Sequence, residues 1–363
     1  MNLSELAEFT RTILKWLSLG LIVLVSLFIF IKIVYFAWNS LNPPLPPKPE
    51  EKFGKLPPIF TQGIAASLAE IRVTLDTIEG VLPKTPTTLP VYKIVSPNPN
   101  LLALDAAKKL ASSFGFSTEP TSVSSTDFQW TDSKNAARSL VINIVSGNFN
   151  LNYDYQKDHS ILNSPLKEDQ ISAANYFKNI LKSRGLLPKD LEDGSFLTTP
   201  LKISTTTFIG VSSLSEANAI KVDLYRAPVI IGRESNQILS TDPSNALVNA
   251  IIVSDPQGKK VIFRINYIYW NIDKNIFSTY PIKTSQQAWE EFRSGGSLKI
   301  QVPNEQLTQV SVRQISLGYF DDPKEQKYLQ PIFIFEGETT VSNGAVTDFK
   351  TILPAVGTSS PSE

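Results

Sequence analysis

The hydrophobic positions form one long unbroken run near the amino end and shorter periodic segments after it. Residues 16–31 carry no charge, and beyond Lys32 the apolar run resumes as far as Trp38. As a helix, 16–38 would be about 34 Å long at ~1.5 Å per residue, enough to cross a ~30 Å hydrocarbon core. Trp16, Tyr35 and Trp38 stand where aromatic side chains favour the two interfaces, and Lys32 is near enough to the end to reach headgroups. Apolarity on every face over this length argues against a buried core helix. The run also exceeds the ~7–15 residues of a cleaved signal's apolar region, and no A-x-A-like site follows. The expectation is an uncleaved signal anchor that places residues 16–38 in the lipid bilayer, with 1–15 as a cytoplasmic tail.

Beyond the span, residues 41–58 hold seven of the 25 prolines, so 39–58 is expected to be an extended, semi-rigid stalk. Period-two alternation begins further on. Residues 140–145 and 149–155 flank Ser146-Gly147, and Phe149, Leu151, Tyr153 and Tyr155 alternate with Asn150, Asn152 and Asp154, which predicts a hairpin with one wet face. A second hairpin joins 246–254 to 259–270 across Asp255-Pro256-Gln257-Gly258, the chemistry of a type I turn. On its second strand Val261, Phe263, Ile265, Tyr267 and Tyr269 are expected on one face. Val310 and Val312, then Ile315, Leu317 and Tyr319, slip phase near Arg313-Gln314, which predicts a bulge. Pro331 in the segment 328–336 predicts an edge strand or a bulge.

Helical spacing appears three times. Residues 101–114 place Leu102, Ala106, Leu110 and Phe114 together. Residues 167–184 do the same with Ile171, Ala174, Phe177 and Leu181, and 284–293 with Ala288, Trp289 and Phe292. Each segment stops at glycine, at Gly115, Gly185 and Gly295-Gly296, and each precedes strands. The fold class expected is therefore α+β, with helices packed on antiparallel sheets. A division near residue 163 gives an amino module, 59–163, and a carboxyl module, 164–354, followed by a tail, 355–363, expected to be disordered.

Composition narrows the chemistry. Lys+Arg and Asp+Glu balance at 34 each, which gives no phosphate-binding surplus, so no nucleic acid is expected as partner. There is no Cys, one His and one Met, which removes disulfides, thiolate metal sites and most acid–base chemistry. No metal or cofactor is expected. Any Ser-His-Asp arrangement would need His159, in a segment that reads as a polar loop. Ser164-Pro165-Leu166-Lys167 matches S-x-x-K, but neither S-D-N nor K-T-G accompanies it. Residues 271–275 imitate the start of a calcium loop, yet Ile276 and Ile282 replace the required Gly and Glu. The adjacent acids Glu290-Glu291 and Asp321-Asp322 read as solvated pairs. The chain is thus expected not to be an enzyme. Among the aromatic residues of 267–270, Trp270 falls on the polar face with Arg264 and Asn266. These three are the expected partner-binding residues, with core packing as the competing reading for the tyrosines.

The segments 280–296, 310–320 and 328–337 contain AWEEF, LGYF and YLQPIFIFEG, and this order resembles the end of YycH/YycI-type proteins over about the last 190 residues. The resemblance implies PepSY-like outer modules and a membrane-anchored regulator of a bacterial cell-wall sensor kinase, with no catalytic residues to carry over. It makes the expected function that of a single-pass protein of the bacterial cell envelope. Its carboxyl-terminal domain would lie outside the cytoplasm, where it binds and regulates another envelope or membrane protein. The alternative is a structural or ligand-binding module contacting peptidoglycan or a peptide.

Overall fold

The computed structural model describes residues 3–41, 48–59, 71–98, 100–156, 166, 169–204, 207–243, 245–297 and 307–357. They fall into two units, residues 1–47 and 48–363. The first is one helix, α1 (Leu3–Leu41), whose stretch Leu19–Phe36 is long and apolar enough to cross a membrane and has none of its side chains packed inside the protein. The helix begins at Leu3, so residues 3–15 are helical and continuous with the apolar stretch.

The second unit is mixed α+β. In chain order its first elements are β1 (Arg72–Leu75), β2 (Thr88–Ile94), α2 (Ala103–Ser113), β3 (Thr121–Ser122), β4 (Asp127–Thr131), β5 (Arg138–Asn143) and β6 (Phe149–Tyr153). Then come α3 (Gln170–Lys182), α4 (Lys189–Glu192), β7 (Phe196–Ile203), β8 (Phe208–Gly210), β9 (Ala219–Leu224), β10 (Val229–Ile231) and β11 (Glu234–Leu239). The remainder is β12 (Val248–Ser254), β13 (Lys260–Tyr267), β14 (Ile272–Pro281), α5 (Ser285–Arg293), β15 (Leu307–Phe320), β16 (Tyr328–Val341) and β17 (Val346–Pro354).

One sheet has nine strands in the order β3-β4-β5-β6-β13-β12-β9-β7-β8, all antiparallel. Helices α2 and α3 pack against it through Ala107, Ala111, Ala173, Ala174, Phe177 and Leu181. The alanines let the helices approach the strands, and Phe177 and Leu181 fill the space between. The face of α2 is turned from the expected one: Ala107 and Ala111 are buried while Leu102 is exposed. On α3, Ile171 is likewise exposed. The caps follow local chemistry. Asp169 accepts from the Ser172 amide at 2.9 Å, and Thr284 forms a capping box with Gln287 at the start of α5. Gly115, Gly185 and Gly295 all have positive φ just after their helices, where side chains with a Cβ are strained.

The other sheet has eight strands, β10-β11-β15-β16-β2-β14, with β1 beside β15 and β17 beside β16. It is mixed, because β1 and β11 both run parallel to β15. Helix α5 covers it through Ala288 and Phe292, and the Phe292 ring stacks on Phe335 at 4.4 Å. Trp289 is half-buried at the rim of this cluster. The expected bulge is present: Val312 pairs with Gly337 and Gln314 with Glu336, which leaves Arg313 extra. A Cβ on Gly337 would lie 2.0 Å from the Ser311 carbonyl oxygen, so the bulge demands glycine opposite it.

Four expectations are corrected. A boundary near residue 163 would cut the nine-stranded sheet, because β6 pairs directly with β13. Pro331 sits in an inner strand, at the point where the second neighbour of β16 changes from β2 to β17, so its missing N–H breaks no continuous ladder. The five alternating residues from Val261 to Tyr269 do not share one face. A register shift between Ile251 and Ile252 sends Val261 and Phe263 into the cluster of Leu201 and Val253, while Ile265 and Tyr267 join the helix-covered cluster. Finally, residues 48–58 are not free stalk. The Glu50 and Glu51 amides donate to the Thr279 carbonyl, Phe53 stacks on Tyr328 at 4.7 Å, and Ile59 packs against the β16 core. Carbonyls of Lys48, Gly54 and Pro57 accept from Thr279, Tyr280 and Gln330. The segment is thus held in both directions, its amides donating to β14 and its carbonyls accepting from side chains of β14 and β16.

Candidate functional site

The chain leaves β9 through Leu224, Tyr225 and Arg226, and Arg226 is 8% exposed. Its Nε donates to Asp190 Oδ2 at 2.7 Å, its Nη1 to Asp321 Oδ2 at 2.9 Å and its Nη2 to the Trp270 carbonyl at 2.7 Å. The guanidinium lies 4.4 Å from the centre of the Tyr269 ring, whose hydroxyl donates to Asp190 Oδ1 at 2.9 Å. Asp190 belongs to α4, beside the nine-stranded sheet, and Asp321 follows β15 of the other sheet, so one cation joins the two layers. Gly194 makes room for this: a Cβ there would fall 1.9 Å from the Tyr225 carbonyl oxygen.

Electrostatics here are dominated by burial. Burial pulls the Arg226 guanidinium down, but Asp321 and Asp190 outweigh it and hold it above its usual value. Complete burial pushes the Asp321 carboxyl up, against the pull of Arg226. Its Oδ1 is buried without a hydrogen bond. Burial also raises the hydroxyls of Tyr225 and of Tyr269, the latter to about 12. Two carboxylates around one guanidinium leave one excess negative charge in a place where isolated charge is costly.

Beside this junction opens a cleft of about 1200 Å³. Leu197, Tyr225 and Asp242 form part of one wall, and the floor is the far end of the eight-stranded sheet. That floor changes character along the strands. Ile334 pairs with Ile352 in a buried cluster, and two residues on Glu336 pairs with Lys350, then Glu338 with Asp348. Period two keeps these charges on the face of the isoleucines, where the sheet runs out from under its cover. Glu336 and Lys350 form an ion pair at 2.5 Å, and Arg313, projected by the bulge, pairs with Glu338 at 2.6 Å. The arrangement offers paired charges of both signs, exposed apolar surface at Leu197 and an accessible tyrosine edge. Such a surface suits an extended polar chain better than a small apolar ligand.

The residues expected to bind a partner are placed otherwise. Trp270 is 7% exposed, packed with Ile94, Val229, Ile238, Tyr319 and Leu329, and its indole donates to the Asp322 carbonyl at 2.8 Å. The strand ends at Tyr267, so alternation no longer governs where Trp270 points. Arg264 and Asn266 are half-buried: Arg264 donates to Asn152 at 3.2 Å and lies over Phe208, and Asn266 donates to the Leu247 carbonyl. Burial lowers the Arg264 pKa. These two stabilise the sheet and do not meet Trp270 in a surface patch. His159, Ser164 and Lys167 lie outside the described residues. Asp273 and Asn275 lie within β14, where the Asn275 amide donates to the Asp273 carboxylate. Glu291 pairs with Lys283, and Asp321, expected to be solvated, is buried. Among the described residues no group of acids and His could hold a metal ion.

No family model matches the chain, and no curated protein does. A crystal structure of an uncharacterized protein from Eubacterium rectale ATCC 33656 is similar at TM-score 0.41 and 12% identity, covering 79% of this chain and 89% of that one.

Proposed function

We propose that this chain is a membrane-anchored binding protein whose second unit receives an extended segment of another envelope or membrane protein in its cleft and regulates that partner. The observation that carries the reading is the open cleft of about 1200 Å³, floored by the charged end of the eight-stranded sheet. A helix able to span a membrane, in the same chain, gives such a domain a reason to act on membrane neighbours. The resemblance of 280–337 to YycH/YycI-type proteins supports a regulatory role and points to a sensor kinase as the partner class. In this reading the carboxyl-terminal unit lies outside the cytoplasm, and the cleft works by binding, without turnover.

The test uses the absence of cysteine from the chain. A photo-crosslinker on Leu197→Cys, in the cleft, is compared in native membranes with one on Ile209→Cys, equally exposed but outside the cleft. A membrane-protein adduct formed from position 197, absent from 209 and lost when Arg313→Glu and Lys350→Glu are added, is expected. Equal adducts from both positions, or adducts indifferent to the charge reversals, would remove the cleft from the mechanism. An adduct with glycan or peptide instead of protein would favour the peptidoglycan-binding alternative.

A further inference from the structure

The clamp that holds residues 48–59 lies next to an irregularity in β14. Asp273 pairs with Lys93 and Phe277 with Tyr92, so Lys274, Asn275 and Ile276 have no partners in β2 and form an outward bulge. Ile276 and Phe277 are 44% and 48% exposed, and Val95, whose amide donates to the Asn271 carbonyl beside them, is 43% exposed. Lys274 and Lys93 are exposed next to these apolar side chains. Three residues beyond Ile276, Thr279 accepts from Glu50 and Glu51 and donates to the Lys48 carbonyl, about 10 Å along the strand. The bulge is therefore beside the place where the chain enters this unit.

Covalent length then limits what the bulge can meet. The Cα steps from Leu41, the last residue of α1, to Lys48 cover at most about 25 Å. Exposed Ile, Phe and Val with lysines at their margin match an interface where apolar side chains enter the acyl boundary and cations stay among headgroups. We infer that the β14 bulge, with Ile276 at its tip, Phe277 at its base where pairing with Tyr92 resumes, and Lys274 and Lys93 beside it, inserts into the headgroup region of the bilayer that α1 crosses. The inference rests on α1 being a membrane anchor. It adds a second lipid contact, beside the point where the chain enters this unit.

The experiment places an environment-sensitive fluorophore at Ile276→Cys or at Val346→Cys in the full-length chain, reconstituted in vesicles of phosphatidylethanolamine and phosphatidylglycerol. Val346 is also an exposed apolar residue, but it pairs with Thr340, about 40 Å along β16 from the clamped Tyr328. Emission from position 276 is expected to be blue-shifted and quenched at least twofold by lipids brominated near the carbonyl, and emission from 346 is expected to be unaffected. Adding Phe277→Asp and Lys274→Glu should return position 276 to the behaviour of 346. If the protein resists alkaline extraction but the two positions are quenched alike, the bulge does not touch lipid and the inference is wrong. If alkali extracts the protein, the anchor reading fails and this inference falls with it.

Discussion

Replacing Arg226 by Met tests whether the buried cation holds the two sheets together. Methionine keeps much of the volume but deletes the bonds to Asp190, Asp321 and the Trp270 carbonyl. It leaves two carboxylates near one another, one of them fully buried with an oxygen that already has no hydrogen bond. Removing one partner of a buried pair costs about 3–5 kcal/mol, a large part of a domain's ~5–15 kcal/mol. At roughly 2 °C per kcal/mol for a domain of this size, the melting temperature should fall by about 6–10 °C. The loss should also depend on pH. Burial raises the Asp321 carboxyl above its ordinary 3.8, and without Arg226 it rises further. The folded state then takes up this proton before the unfolded state does. Its stability relative to the parent is lowest at neutral pH and recovers as pH falls through the raised value towards 3.8. Thermal unfolding of the full-length protein in detergent, followed by tryptophan fluorescence at pH 7 and at acid pH, measures both effects. Arg226→Met with Asp321→Asn should recover part of the loss, with a coupling of about 1–3 kcal/mol. A single variant within about 1 kcal/mol of the parent at pH 7, or a deficit that ignores pH, would refute the view that this network bears the junction.

Phe292→Ala, which empties a fully buried site stacked on Phe335, should cost about 3–5 kcal/mol, whereas Trp289→Ala at the half-buried rim should cost less than half as much; urea titration separates them. Gly337→Ala has an ordinary backbone but no space beside Ser311, so a loss of about 1–3 kcal/mol or more is expected in the same titration, and a neutral result would mean that the bulge is not formed. Trp270→Phe should weaken folding by about 1 kcal/mol through the unpaired Asp322 carbonyl while leaving the cleft crosslink from position 197 intact; loss of the crosslink at unchanged stability would return Trp270 to the binding surface. With the second unit outside the cytoplasm, protease added to intact spheroplasts should digest residues beyond 59, and complete protection of them would reverse the orientation.

Much of the local structure was legible in the residues themselves. The apolar run gave α1, the Asp255–Gly258 turn gave the β12–β13 hairpin, the phase slip gave the bulge at Arg313, and the three glycines gave the helix ends. Each depends on neighbours within a few positions, where backbone sterics and periodicity act directly. The α+β class followed from the same signals. What only the tertiary structure decided is where distant segments meet. Arg226 and Asp321 are 95 residues apart, and Arg226 and Asp190 are 36 apart, with no spacing rule to connect them. The pairing of β6 with β13 erased a boundary that local composition suggested, and the clamp on 48–59 used side-chain donors from β14 and β16 that no proline count reveals. Trp270 was misread for the same reason. Alternation assigns a face only while the strand lasts, and past Tyr267 it was the cavity between Val229, Tyr319 and Leu329 that took the indole. The cleft is a further case, since its lining joins residues from Asp193 to Thr351, and two of its strands, β11 and β15, meet by pairing Gln237 with Gly318. Periodicity fixes what a residue does within its own element, and long-range packing alone fixes what that element faces.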